Sequence, residues 1–171
     1  VIDREDIVWF GPDAYARHQQ PGSSLMALEP GQVVTVGELM KGVAIQSGND
    51  AAMALAEFVA GGTGTFVDWM NEESRFLGFP VSRYGDPAGV GPGSVVTARE
   101  FAEFCRQYLR LHPESLAELH SLPEFAYPQV HNLPEDASPR PPAEATYNHN
   151  WLIRGFGVDG LKTGRYDDEN F

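Results

Sequence analysis

The spacing of hydrophobic positions changes near residue 36. Ahead of it, residues 1–36 alternate short apolar stretches with the turn signals Gly11-Pro12-Asp13, Gln20-Pro21-Gly22 and Glu29-Pro30-Gly31, a pattern of extended pieces and loops. From Val36 onward, Leu39, Met40, Val43 and Ala44 recur at helical spacing, which predicts a helix up to Ile45. Ser47-Gly48-Asn49-Asp50 interrupts the run, and the Ala-rich stretch Ala51 to Ala60 resumes as a second helix, so the two should meet at a polar corner. Gly61-Gly62 ends that helix. Thr65, with Asp68 three residues on, predicts a third helix to about Leu77 with Phe66, Trp69, Met70 and Phe76 as buried positions.

Residues 78–96 read as an irregular crossing rich in Gly and Pro. Thr97-Ala98-Arg99-Glu100 then has the spacing of a capping box, in which hydroxyl and carboxylate each satisfy an orphan backbone N–H, and it opens a helix to about Leu111. A further short helix is expected over Pro113 to Ser121, followed by strand-like pieces at Glu124 to Val130 and Tyr147 to Ile153. Between them, Pro134, Pro139, Pro141 and Pro142 remove backbone donors and mark residues 133–146 as a surface excursion. The tail Gly157 to Gly164 reads as a strand ending in glycine.

The 171 residues fit one domain, and 42% hydrophobic content is enough to bury a core. The fold class expected is α/β (α+β): a helical subdomain, residues 36–125, beside sheet-associated parts at 1–35 and 126–171. Twelve Lys and Arg against 24 Asp and Glu give a formal charge of −12. Such a surface repels polyanions and argues against nucleic acid as a partner. Only Lys41 and Lys162 are lysines, so the position of each carries information. Cys105, the single cysteine, excludes an internal disulfide and reads as a small buried hydrophobe among Phe101, Phe104 and Tyr108. No run of about 18 apolar residues occurs.

Ser47-Gly48-Asn49 falls at a helix-to-helix corner, where Gly48 lets the chain turn tightly and the flanking side chains can point into a cleft. A plainer reading is open too: a glycine helix stop followed by a capping Asn or Asp. Lys162-Thr163-Gly164 offers a cation, a hydroxyl and a residue without a side chain, so a ligand could approach the strand edge. Its plain alternative is an edge-strand lysine that discourages aggregation, with a turn glycine behind it. His18, His112, His120, His131 and His149 lack metal-ligand spacing and read as surface or capping residues, and no metal or cofactor is expected. Asn148-His149-Asn150 reads as turn-capping, and acidic pairs such as Glu72-Glu73 and Asp167-Asp168 as solvated faces.

Together the two motifs are similar to the second and third signature motifs of penicillin-recognising serine enzymes. Gly22-Ser23-Ser24-Leu25-Met26, Ile45 to Ala51, Phe66 to Asn71, Ser94 to Glu100 and Val158 to Gly164 extend the likeness, in order, to the low-molecular-mass penicillin-binding D-alanyl-D-alanine carboxypeptidases. The resemblance implies a serine acyl-transfer enzyme that removes the terminal D-Ala from peptidoglycan stem peptides ending in D-Ala-D-Ala, is acylated by β-lactam antibiotics, and works outside the cytoplasm. It also implies roles. Ser47 would relay a proton towards the leaving group, and Asn49 would hydrogen-bond the substrate amide. Lys162 would place charge near the terminal carboxylate, Thr163 would bind that carboxylate, and Gly164 would leave the edge open. The cleft should run between the motifs, with the Ser47 hydroxyl and Lys162 amine ~3 to 4 Å apart. A β-lactamase is the nearest enzymatic rival, and without a motif for a deacylating carboxylate slow deacylation is expected.

The family's nucleophile and base lie one helical turn apart in Ser-x-x-Lys, ahead of these motifs. No serine here has a lysine three positions later. Two expectations follow: a chain incomplete at both ends, or a relative that binds stem peptide or a protein partner without catalysis. Arg165 to Phe171 and the Pro-rich stretch 133–146 are the departures from the family pattern.

Overall fold

A computed structural model describes residues 1–135, 145–155 and 157–164. Strand β1, Ile7–Val8, pairs antiparallel with β2, Val34–Thr35. The chain passes directly from β2 into helix α1, Val36–Lys41, whose entry is a reciprocal capping box between Thr35 and Glu38. Past Lys41 the helix widens into a π-helical turn, Gly42–Gln46, and stops at Ser47. Helix α2, Asn49–Ala60, follows after two residues, so Asn49 and Asp50 belong to its first turn and only Ser47 and Gly48 interrupt. It ends as the sequence predicts, with Gly61 left-handed at φ 73°.

Helix α3, Thr63–Phe76, begins two residues before the predicted Thr65 and takes no side-chain cap. Of its predicted buried positions, Phe66 and Met70 are half-buried, whereas Trp69 is exposed and Phe76 is 84% exposed. Fully buried on this helix is Ser74, whose hydroxyl bonds the Phe79 carbonyl where the chain turns back. In the crossing that follows, Arg83 and Val95 form a single antiparallel bridge.

Helix α4, Ala98–Leu111, is capped by the Thr97 hydroxyl, which accepts from Glu100 N at 3.1 Å. The other half of the predicted box is absent. Glu100 instead accepts from Val81 N, Ser82 N and the Ser82 hydroxyl, at 3.2, 2.8 and 2.6 Å, and so ties the start of α4 to the crossing. Phe101, Phe104 and Tyr108 stack in series along α4, with Phe79 edge-on to Phe104. Cys105 beside them is half-buried, and desolvation holds its thiol above the ordinary pKa.

Beyond α4 a π-helical turn, Leu116–His120, occupies the predicted short helix. The predicted strands are shorter than expected: β3, Glu124–Phe125, pairs with β4, Thr146–Tyr147, and Trp151–Arg154 is a 3-10 turn. Residues 157–164 form no strand among the described residues, so Lys162-Thr163-Gly164 does not end a paired strand there. Most of the Pro-rich stretch, residues 136–144, and the tail 165–171 lie outside the described residues.

The main core gathers Val8, Met26, Leu28, Val34, Leu39, Ala51 and Ala54, which joins β1, β2, α1 and α2. Tyr127 closes it, donating to Gln32 Oε1 at 3.0 Å, and burial raises its phenol pKa with Glu38 and Asp50 adding to the rise. A second cluster, Ala44, Ile45 and Leu119, packs the Gly42–Gln46 turn against the Leu116–His120 turn.

Glu38 does more than cap. Its carboxylate accepts from Thr35 N at 2.9 Å, from Asn132 Nδ2 at 3.0 Å and pairs with His131 Nε2 at 2.9 Å. Burial pushes its pKa up, but these hydrogen bonds outweigh burial and hold it below the ordinary value of 4.5. A depressed carboxyl contributes stability that is complete above its unfolded value and lost as pH falls through its folded one. Glu38→Gln should therefore cost about 1 kcal/mol at pH 7 and clearly less at pH 3; urea unfolding at the two pH values measures both.

Candidate active site

The corner between α1 and α2 is built from two residues with unequal problems. Ser47 carries the tight turn: it is left-handed, at φ 59° and ψ 34°, a conformation that costs a non-glycine residue about 1 kcal/mol or more. Its backbone N–H and that of Gly48 both return to the Gly42 carbonyl, closing the widened helix end. Gly48 does not supply the turn as the sequence reading expected, since its φ of −66° suits any residue. It is glycine for want of room: a Cβ would lie 3.0 Å from both Met26 N and Asp50 Oδ1.

Asp50 is what crowds it. One carboxylate oxygen accepts from Met26 N at 2.8 Å and Ala51 N at 2.9 Å, and the other from Ala27 N at 2.8 Å and Leu28 N at 2.9 Å. The residue is fully buried, and these four donors replace the water it has lost. Segment Ser24 to Leu28 is thereby clamped beneath the corner, with Ala27 at φ 73° and the Ser24 carbonyl accepting Asn49 N at 3.0 Å. Sequence reading takes Asp50 for an ordinary helix-start residue; nothing local signals a carboxylate that reaches back to Met26.

The second motif is held by a different set of residues. Asn148 Nδ2 donates to the His120 carbonyl at 3.1 Å and the Leu122 carbonyl at 3.0 Å, while Asn150 Nδ2 donates to the Gly160 carbonyl at 3.1 Å. Asn150 also caps the Trp151–Arg154 turn. The expected capping role of this triplet is present, and it additionally ties residue 160 to the turn that ends at His120. Gly160 lies so close that a Cβ there would come to 3.2 Å from both His120 Cβ and Leu116 Cδ2.

The Lys162 ammonium donates to the Thr163 carbonyl. Surrounding protein atoms lower its pKa by desolvation, and because the residue still meets water the lowering stays modest. Desolvation and then the Lys162 charge lower the pKa of His149; both also lower that of His120, where the Leu161 carbonyl acts in the opposite sense. These two histidines, read from sequence as surface or capping residues, thus stand within the field of Lys162. Thr163 and Gly164 are exposed, and a Cβ on Gly164 would meet nothing among the described residues. Neither a positive φ nor crowding there requires glycine.

The two motifs are linked through one intervening element. Ser47 ends the Gly42–Gln46 turn, that turn packs on Leu116–His120, and His120 packs on Gly160 and stands within the field of Lys162. Among the described residues Ser47 and Lys162 share no hydrogen bond; the lysine is engaged by its own neighbour.

This arrangement of helices and small sheets is the fold of the penicillin-binding proteins. Penicillin binding protein 6B from Escherichia coli superposes with a TM-score of 0.82 at 31% identity, over 96% of this chain and 49% of that one. Penicillin binding protein 5 from Haemophilus influenzae gives 0.80 at 31% identity, over 95% and 44%. Residues 1–169 match the D-alanyl-D-alanine carboxypeptidase family of serine peptidases, and the chain belongs to that family. D-alanyl-D-alanine carboxypeptidase DacC of Escherichia coli is 37% identical over 168 residues, 95% of this chain and 38% of the relative. The chain thus spans well under half the length of that relative.

The corner yields opposite expectations for adjacent positions. Ser47→Gly should leave stability unchanged or raise it by about 0.5 kcal/mol, since relief of left-handed strain offsets the added unfolded-state entropy. Gly48→Ala should destabilise by about 1–3 kcal/mol despite a favourable φ, because the methyl meets backbone. Asp50→Asn should cost more than either, about 3 kcal/mol, by turning an amide towards donors. Thermal and urea unfolding of the three variants checks the order.

Proposed function

We propose that the protein is a serine-type D-Ala-D-Ala carboxypeptidase that removes the terminal D-alanine from peptidoglycan stem peptides through an acyl-enzyme and is acylated by penicillin. The observation that carries this reading is the linkage of a strained Ser-Gly-Asn corner to a Lys-Thr-Gly segment through the Leu116–His120 turn, in a chain of this family. Residues 36–125 then form the helical wall of the cleft, and the described residues of 1–35 and 126–171 the sheet-associated wall. The substrate would lie between the walls outside the cytoplasm, where its polymer is. Among the described residues no helix is long and apolar enough to cross a membrane.

Each residue has a chemical task in this reading. The nucleophile and its base would come from a Ser-x-x-Lys segment, which these 171 residues do not contain. Ser47, held with its backbone strained, would pass a proton towards the departing D-alanine, and the Asn49 side chain would hydrogen-bond the amide under attack. Lys162 would set its positive charge against the terminal carboxylate, with the Thr163 hydroxyl as second donor. Among the described residues nothing would meet a Cβ on Gly164, which supports close approach of a substrate backbone there. Penicillin, which also offers a carboxylate beside an acyl centre, fits the same donors.

Lys162 gives the sharpest test. Were it only a surface charge, Lys162→Gln would change penicillin acylation of the full-length protein little, since exposed charges contribute under about 1 kcal/mol. If it pairs with the substrate carboxylate in a partly desolvated cleft, losing the charge should cost about 2 to 4 kcal/mol in the transition state, roughly 30- to 1000-fold in rate. The second-order acylation rate with a fluorescent penicillin, compared at equal thermal midpoints, distinguishes the two. A ratio within about threefold of unity removes Lys162 from the site, whereas a full-length protein that penicillin does not acylate at all favours a relative that binds without catalysis.

A further inference from the structure

The Leu116–His120 turn touches both walls and carries a buried, unpartnered polar atom. Among the described residues two buried side-chain polar atoms lack a hydrogen-bond partner: His120 Nδ1, and Gln46 Oε1 on the turn packed against it. The rest of the His120 side chain is fixed. Its Nε2 lies 3.0 Å from the Tyr108 hydroxyl, whose ring meets the imidazole edge-on with centroids 5.6 Å apart. Asn148 holds its carbonyl, and its Cβ sits under Gly160. With backbone, Cβ and Nε2 all engaged, the remaining nitrogen is left to the segment just ahead of Lys162. The Leu161 carbonyl lies beside the imidazole, close enough to favour its protonated form though outside hydrogen-bond geometry.

Among the described residues the ionisable surroundings are few. From α4, Tyr108 faces the ring, with His112 beyond it at a 5.7 Å centroid distance from Tyr108. From the final segment, Lys162 supplies the charge that acts on it. Exposed His149, after β4, shares that field, Glu124 on β3 is exposed, and the Gly42–Gln46 turn has no ionisable residue. On its own turn, Glu118 pairs with Arg4.

We infer that His120 is a positioning residue for the Lys162 segment: neutral, its Nδ1–H closes on the Leu161 carbonyl and fixes where the ammonium stands, and protonated, it sets a second cation against Lys162 and displaces that segment. Desolvation and the Lys162 charge together outweigh the Leu161 carbonyl, which favours the protonated ring, and hold it below the ordinary 6.5. The neutral, positioning form therefore prevails at neutral pH, and the displacement, driven by repulsion from Lys162, belongs to more acidic conditions. The effect on rate rests on the carboxypeptidase reading; the effect on the segment does not.

Two measurements on the full-length protein separate these. Leu161-Lys162 is the one Leu-Lys pair in the 171 residues; carbonyl-13C leucine with 15N lysine labels that peptide bond for NMR, and its resonance in the full-length protein is identified by its loss in Leu161→Ile. Its resonance should titrate with a midpoint below 6.5 in the wild type, stop titrating in His120→Asn, whose amide can still donate to the carbonyl, and keep titrating in His149→Gln. Penicillin acylation should show an acid limb with the same midpoint. That limb should vanish in His120→Asn, with the pH 8 rate within about threefold of wild type, while His120→Ala loses about tenfold or more at pH 8. A wild-type resonance that does not titrate, or one that still titrates in His120→Asn, overturns the inference; the wild-type measurement needs no variant to fold. A resonance that titrates in a protein that penicillin does not acylate keeps the positioning role and removes the carboxypeptidase reading.

Discussion

A single buried carboxylate organises the corner between α1 and α2. Asp50 has no cation partner among the described residues and is fully excluded from water, a state that is tolerable because four backbone N–H groups converge on it. Its place in the first turn of the 12-residue helix α2 adds the favourable end of the helix dipole. The consequences spread from there. Binding three successive amides draws Met26, Ala27 and Leu28 under the corner and forces Ala27 into the left-handed region. Met26 then fills the space that side chains on Gly42 and Gly48 would need. Two glycines, one strained alanine and one strained serine follow from the same clamp.

That clamp explains why the strain at Ser47 can persist. A left-handed serine would ordinarily relax by letting the helix end unwind. Here the widened turn ahead of it is packed through Ala44 and Ile45 against Leu119, and the helix after it is pinned by Asp50. With both flanks fixed, a cost of about 1 kcal/mol in the left-handed region is too small to pull the corner apart. The serine side chain is left half-exposed at a position decided by its neighbours rather than by its own preference.

What the sequence disclosed, and what it hid, divides along the range of the interactions. Helical period and turn residues are local, and they located α1, α2, α4 and the Gly61 stop within a few residues. The Thr97 cap was legible for the same reason, but the partner of Glu100 was not, because Val81 and Ser82 reach it across the crossing. Phe76 shows the converse: helical spacing put it on a buried face, yet among the described residues nothing covers it. The two motifs were legible as residue types. Their surroundings were not, since Asp50 acts on residues 24 positions back and the Asn148 amide on His120 is 28 positions away. A histidine without metal spacing gives no sign that the charge of a lysine 42 residues later acts on it.

Electrostatics sets the last constraint, because a chain of formal charge −12 repels anions in general. Screening limits the damage: beyond about 8 Å at physiological ionic strength most of that charge is not felt, so the local set decides. Around the Lys-Thr-Gly segment that set is unusual for the chain. Arg154 is turned aside, its guanidinium lying 4.4 Å from the Tyr147 ring centroid and 4.7 Å from that of Trp151. His120 and His149 are both held towards their neutral forms by desolvation and by Lys162 itself. Among the described residues the positive charge of this segment is therefore carried by the Lys162 ammonium. A partly desolvated cation is a stronger partner for an anion than one fully hydrated, because less water must be removed when the pair forms.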